Sequence, residues 1–420
     1  MKTNRSISVA EGTRIKVTGK LGALSRWLAA AILVGSVFGC AGTPPRNPLP
    51  LELTNRAVIP GIPEARFWGD EWPKLSLERF ETFNDADFQR YFPAIYDTEH
   101  NYLAISGGGA NGAFGAGLLA GWAEAGTRPE FSMVTGISTG ALSAPFAFLG
   151  PDYDDELKAV YTTTSTAQIA RKRNLVVAAF ADSMVDTAPL REMIRSYIDT
   201  DVIEAIAREH TRGRRLYIGT VNLDASRSVI WSIGAIAASD YPRKEELIHE
   251  VLQASASIPV AFPPVVIPVE ADGRTFDEMH VDGGTGAQVF VYPAAANWKE
   301  VIGKLKVRGA PRVYVIRNAF LDPDYRGVKR GILPIGIRTI DSLIRTQGIG
   351  DLYQIYSLCA RDGNAFNLAY IPSSFTEMPK ESFDPDYMRK LFDLGYRMAK
   401  EGYPWEKAPP GFRAMSGDDG

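Results

Sequence analysis

From Tyr102 onward the chain alternates between short apolar runs and longer mixed stretches. Tyr102-Leu103-Ala104-Ile105-Ser106 and Phe131-Ser132-Met133-Val134-Thr135 are two such runs, each bounded by polar or turn-forming residues. Arg215-Leu216-Tyr217-Ile218-Gly219-Thr220-Val221 and Arg312-Val313-Tyr314-Val315-Ile316-Arg317 are two more, rich in β-branched and aromatic side chains. Runs this short and this apolar suit strands buried on both faces. Helix-compatible stretches lie among them at 113–125, 140–149, 190–198 and 244–255. The alternation predicts an α/β protein with a mostly parallel sheet between two helical layers. Beyond residue 320 the pattern reads as helix and loop, with the longest helix at 339–359 and a frayed end at 416–420. No repeat of 20–50 residues and no low-complexity block interrupts it.

The first hundred residues follow other rules. Lys2, Arg5, Arg14, Lys16, Lys20 and Arg26 stand against the single acid Glu11, and an apolar stretch from Trp27 to Phe38 carries no charge. A basic region, a short apolar region and small residues before a cleavage point define a secretory signal, here 1–39, and the stretch is too short to span a bilayer as a helix. Val37-Phe38-Gly39-Cys40 resembles a bacterial lipobox, although Phe38 is bulkier than that position usually carries; the match implies lipidation at Cys40. Cys359 then has no partner and is expected to be a buried thiol. Prolines 44, 45, 48, 50, 60 and 63 predict an extended tether over 40–63. Residues 64–100, dense in aromatics, read as a lead-in that wraps the core.

Charge narrows the partners. The whole chain carries −3, and removing the +5 of residues 1–39 leaves about −8. So acidic a chain is not expected to bind nucleic acid, and membrane attachment would rest on acyl chains rather than on a basic patch. The expected address is an exported, lipid-anchored protein of the cell envelope, at the outer membrane.

Three motifs carry the chemistry. Ser106-Gly107-Gly108-Gly109-Ala110-Asn111-Gly112 joins a predicted strand to a predicted helix, a setting in which backbone N–H groups face an anion. The spacing Gly107-x-Gly109-x-x-Gly112 also fits a dinucleotide fingerprint, with Glu130 at about the expected distance. No phosphate-loop Gly-Lys-Ser/Thr follows. Gly136-Ile137-Ser138-Thr139-Gly140 sits between strand and helix, the context of a nucleophile elbow. His280-Val281-Asp282-Gly283-Gly284-Thr285-Gly286 presents a carboxylate from a glycine-rich loop. His100, His210, His249 and His280 are the only histidines, and His210 and His249 read as solvated surface. No His/Cys/Asp cluster has metal-ligand spacing, so neither metal nor cofactor is expected.

Taken in this order, the glycine loop, the Gly-x-Ser-x-Gly and the late Asp-Gly resemble the patatin-like phospholipase family over about 102–320. The block Ala254-Ser255-Ala256-Ser257-Ile258-Pro259-Val260-Ala261-Phe262-Pro263-Pro264 looks like the stretch that precedes the family's catalytic aspartate. The resemblance implies a three-layer α/β/α patatin-like fold and a catalytic domain over 101–320; the helical pattern beyond it is expected to form an extension over 321–420 packed on the same domain. It implies Ser138 as nucleophile, Asp282 as base and the amides of Gly107, Gly108 and Gly109 as oxyanion hole, with Gly112, Gly136, Gly140 and Gly283 supporting the motifs. The substrate it implies is a phospholipid or other acyl-ester lipid, with no nucleotide bound. Two departures stand out: Asn111 occupies a position where the family often has Arg or Lys, and Thr285-Gly286 follows Gly284 where an Asn-Pro type segment is usual. The competing expectations are a histidine-dependent α/β-hydrolase using His280 or His249, and a non-enzymatic envelope lipoprotein that keeps the fold as a binding module.

Overall fold

The computed structural model describes residues 46–172, 183, 185–323, 325 and 327–412. The expected signal peptide, Cys40 and the frayed end at 416–420 lie outside the described residues.

Residues 46–63 do not form a free tether. Leu49, Leu53, Ile59 and Ile62 are buried, Val58 and Glu270 exchange backbone hydrogen bonds of 2.9 Å, and the Asn47 N–H donates to the Asp277 carboxylate at 2.8 Å. The apolar residues among the prolines give this stretch surface to bury, which a solvated spacer lacks. The lead-in that follows contains β1 (Arg66–Trp68), α1 (Lys74–Thr82) and α2 (Asp85–Tyr91). Its Phe80, Phe88 and Phe92 form a small aromatic cluster closed by Val301 and Leu305.

The remaining principal elements run β2 (Asn101–Ile105), α3 (Gly112–Glu124), β3 (Met133–Ile137), α4 (Thr139–Leu149), α5 (Asp154–Thr162), α6 (Ala188–Tyr197), α7 (Thr200–Thr211), β4 (Arg215–Asn222), β5 (Arg227–Ser232), α8 (Lys244–Ser255), β6 (Val265–Ala271), β7 (Arg274–Asp282), α9 (Trp298–Lys304), β8 (Arg312–Phe320), α10 (Ile332–Asp362), β9 (Ala365–Ile371) and α11 (Pro385–Lys400). The sheet order is β1-β5-β4-β3-β2-β8-β9, with β7 branching from β4 and β6 pairing β7. Strands β4, β3, β2, β8 and β9 are parallel; β1, β5, β7 and β6 add antiparallel pairs.

Alternation along β2 shows the layering. Leu103 and Ile105 face one core, shared with α3, α4, α8 and α11; Tyr102 and Ala104 face another, shared with α10 and the segment around Val289 to Ala296. Period-two alternation inside a wholly buried strand is what a sheet covered on both faces requires. The fold is therefore a three-layer α/β/α arrangement around a mostly parallel sheet.

The C-terminal part departs from the helix-and-loop expectation. β9 lies parallel to β8, with Phe366 opposite Val313, and extends the sheet. α10 also starts seven residues earlier than the pattern suggested, at Ile332 rather than Thr339. Pro334 and Gly336 hid that start; proline is tolerated in a first turn, where no intrahelical N–H is lost.

Candidate active site

Parallel strands bring their C-terminal ends to one edge, and all three motifs emerge there. Ile105 lies opposite Gly136, and Thr220 lies opposite Asp282. Ser138 is the residue between β3 and α4, with φ of 55° and ψ of −125°. A non-glycine residue at positive φ is costly, and such strain concentrates at functional turns. The neighbours make room for it: a Cβ at Gly140 would collide with the Ile105 carbonyl, and one at Gly136 would lie 2.5 Å from the Gly140 oxygen. The turn is also pinned from below. The Ser138 N–H donates to Ser255 Oγ at 3.0 Å, and Ser255 Oγ donates to the Gly219 carbonyl at 2.7 Å.

Asp282 ends β7 and faces Ser138. Its carboxylate accepts from the Gly284 N–H at 2.7 Å to Oδ1, and the Ser138 side chain stands close enough to favour its charged form. Ser138 and Asp282 are 7% and 4% exposed. Burial pushes the Asp282 carboxyl up to about 7, with Ser138 and the Gly284 N–H pulling the other way. Gly283 sits so close to the Gly219 carbonyl that a side chain there would push β7 off β4.

The glycine loop packs directly on the serine: a Cβ at Gly107 would lie 3.1 Å from Ser138 Cβ. The Gly107 N–H is already engaged, donating to the Gln288 carbonyl at 3.2 Å. Gly108 and Gly109 open the helical turn that runs into α3, where the first N–H groups have no intrahelical acceptor. Gly108 has no room for a side chain, because a Cβ would meet the Asn318 carbonyl. Gly112 touches Thr139 and Tyr161 in the same way.

Several residues that hold this arrangement escaped the sequence reading. Asn318, fully buried at the end of β8, donates from Nδ2 to the Ser106 carbonyl at 3.0 Å and accepts from the Gly115 N–H at 3.0 Å. Gln288 joins the two halves of the site. Its carbonyl accepts from Gly107, and its Nε2 donates to the Gly284 carbonyl at 2.9 Å. Asp351 of α10 accepts the Gln288 N–H at 2.6 Å and so holds that bridge. Asn111, where the family often carries a cation, accepts instead from the Tyr387 hydroxyl of α11 at 2.7 Å. The signals were weak: a polar residue ending an apolar strand for Asn318, a serine in the block at 254–264 for Ser255, and nothing local for Gln288 or Tyr387.

The histidines are occupied elsewhere. His280 Nδ1 lies 2.9 Å from Thr220 Oγ1 and its Nε2 lies 3.1 Å from Glu278 Oε2. Glu278 is in turn paired with Arg66, and burial holds the His280 imidazole below its usual range. His249 is buried rather than solvated, with Nε2 2.7 Å from the Ile198 carbonyl. His210 is also largely enclosed, and burial together with Arg215 and Arg79 pushes its imidazole down to about 2. His100 is held by Tyr102 and the Ile95 carbonyl. Glu130, the residue a dinucleotide ribose would need, pairs with Arg214 at 3.2 Å. Among the described residues no group of three His, Cys, Asp or Glu side chains stands close enough to hold a metal ion. Cys359, near the end of α10, is buried, which pushes its thiol up to about 12.

A strained serine, a buried carboxyl and a glycine loop thus meet on one edge of a three-layer α/β/α fold. Residues 103–295 match the family model described as patatin-like phospholipase. Among solved structures, VipD from Legionella pneumophila matches at 11% identity with a TM-score of 0.36, over 72% of this chain and 66% of that one. The type III effector protein ExoU matches at 13% identity with a TM-score of 0.19, over 72% of this chain and 53% of that one. This chain thus spans just under two thirds of VipD and about half of ExoU. A search of curated proteins gave no match.

Proposed function

We propose that the protein cleaves carboxylic esters of phospholipids or related acyl lipids through a Ser138–Asp282 dyad. The observation that carries this reading is the buried Asp282 carboxyl beside the strained Ser138, with the Gly107–Gly109 loop packed on the serine. Asp282 takes the hydroxyl proton as Ser138 Oγ bonds to the acyl carbon. The tetrahedral oxyanion rests on the Gly108 and Gly109 amides; Gly107, already bonded to Gln288, shapes the loop. Collapse expels the alcohol, which takes the proton back from Asp282 and leaves the acyl group on Ser138. Water, deprotonated by Asp282, then releases the fatty acid. A carboxyl near 7 is a far better base for this than one at its ordinary value of 3.8. Each oxyanion donor contributes about 3–4 kcal/mol where such donors have been removed in other hydrolases. The test is mass spectrometry of the products from mixed phospholipids. Fatty acid and lysolipid released by the wild type and absent with Ser138→Ala are expected; equal release by both would refute the assignment.

The same reading places the enzyme at a membrane. No helix among the described residues is long and apolar enough to cross one. Attachment would rest on the lipidated Cys40 of an exported envelope protein, a reading supported by the lipobox-like Val37-Phe38-Gly39-Cys40. Loss of membrane fractionation in Cys40→Ala is expected, and unchanged fractionation would remove the anchor from the account.

A further inference from the structure

A cavity of about 530 Å³ lies on the sheet face opposite α3 and α4, under the lead-in and α10. Its volume falls in the range of about 300–1,000 Å³ typical of small-molecule sites. Phe67, Trp72, Met133, Tyr217, Val291 and Ile355 give it an apolar wall. The wall draws on residues on both sides of the matched 103–295 region, so this chamber belongs to the whole chain and not to the family domain alone.

Strand register gives the cavity its direction. Met133 lies opposite Arg215 at one end of β3 and β4, and Ile137 lies opposite Gly219 at the other. The cavity touches both ends. From Arg215 to Val221 the strand rises about 20 Å at ~3.3 Å per residue. A membrane acyl chain fills about half of a ~30 Å hydrocarbon core, so it is some 15 Å long. At the catalytic edge the cavity is bordered by Ser226, Ser228, Thr285 and Gly286, of which Ser226 and Thr285 are exposed. Thr285 Oγ1 also donates to the Asp282 carbonyl at 2.9 Å. Ser138 and Asp282 stand just behind the wall, their neighbours Ile137 and Gly283 forming part of it. At the far end Arg215 donates to the His210 and Arg214 carbonyls, and its guanidinium lies 5.0 Å from the Phe92 ring centre. Arg79, also in the wall, is paired with Glu64.

We propose that this cavity is a binding site for one long acyl tail, entered beside the Asp282 loop and running along the strands toward Arg215. Length, apolarity and the exposed border at the catalytic edge all select an unbranched hydrocarbon chain over a compact polar ligand. The tail can come from the lipid being cut or from a fatty acid already released, and the chemistry of recognition is the same.

Palmitate binding to the full-length Ser138→Ala protein, followed by calorimetry, tests the site without turnover. One palmitate per chain is expected, with affinity rising by up to about fourfold per methylene from C8 to C14 and levelling off near the cavity length. Ile230→Trp and Ile355→Trp fill the cavity from opposite walls, and circular dichroism checks that each is folded. Loss of palmitate binding in a folded variant supports a fatty-acid site. Loss of preference for C16 over C4 p-nitrophenyl esters in the Ser138-containing variants supports a site for the substrate's own tail. That second arm alone rests on the hydrolase reading, and palmitate binding without any turnover would separate the two. No palmitate binding by the folded Ser138→Ala protein would overturn the inference. So would filled variants that bind palmitate and keep the chain-length preference unchanged.

Discussion

Replacing Asp282 by asparagine separates two consequences of burying a carboxyl group. The folded protein holds this carboxyl near 7, against an ordinary value of 3.8, and the first cause is burial. Between those values the folded state keeps a proton that the unfolded state has lost, so stability falls as pH rises from about 4 to about 7. A shift of about three units corresponds to about 4 kcal/mol of lost stability once the group is fully ionised. Asparagine is nearly isosteric, keeps an acceptor for the Gly284 N–H and carries no charge. Above pH 8 the Asp282→Asn variant should therefore be more stable than the wild type, by up to about 4 kcal/mol, less whatever the Ser138 contact contributes. In melting temperature this is a gain of several degrees. At pH 4 the difference should vanish, because the wild-type carboxyl is then protonated in the folded state and about half-protonated in the unfolded one. The same variant should lose ester hydrolysis, and wild-type kcat/KM should rise with pH through about 7 as the base ionises. Melting curves at pH 4, 6 and 8.5, read with esterase rates, make the test. A variant that is less stable than the wild type at pH 8.5, or that still hydrolyses ester at the wild-type rate, would refute the reasoning.

Other perturbations read the rest of the site. His280→Ala should cost about 1–3 kcal/mol of stability, measured by denaturant melts, because it strips partners from buried Glu278 and Thr220; the folded fraction should still hydrolyse ester. Gly108→Ala should drop kcat by about 10²–10³-fold, since its Cβ meets the Asn318 carbonyl and would displace the proposed oxyanion donor. Gln288→Leu should leave the Gly284 carbonyl unpaired at about 1–3 kcal/mol and lower kcat with KM little changed, as steady-state kinetics would show.

Much of this arrangement was legible in the chain, and its gaps have physical causes. The buried parallel strands β2, β3, β4 and β8 announce themselves as unbroken apolar runs because no face needs polar residues. The glycines at 108, 136, 140 and 283 were readable because close backbone approaches exclude a Cβ, and the structure has such an approach at each; at Gly107 the near neighbours are the Ser138 and Gln288 side chains. The antiparallel strands β5, β6 and β7 were not, since their partners are set by tertiary pairing and their patterns are mixed. The buried packing of residues 46–63 was masked by prolines. Tyr387 and Asp351 reach the glycine loop and Gln288 from elements far along the chain, and no local spacing encodes such contacts.

The claim that Ser138 is the nucleophile is tested most directly by a fluorophosphonate probe and peptide mass spectrometry. The account predicts one adduct on the folded wild-type protein, on the peptide containing Ser138, none on Ser138→Ala and little on Asp282→Asn. A folded wild type that stays unlabelled, or a Ser138→Ala protein labelled to the same extent, would contradict it.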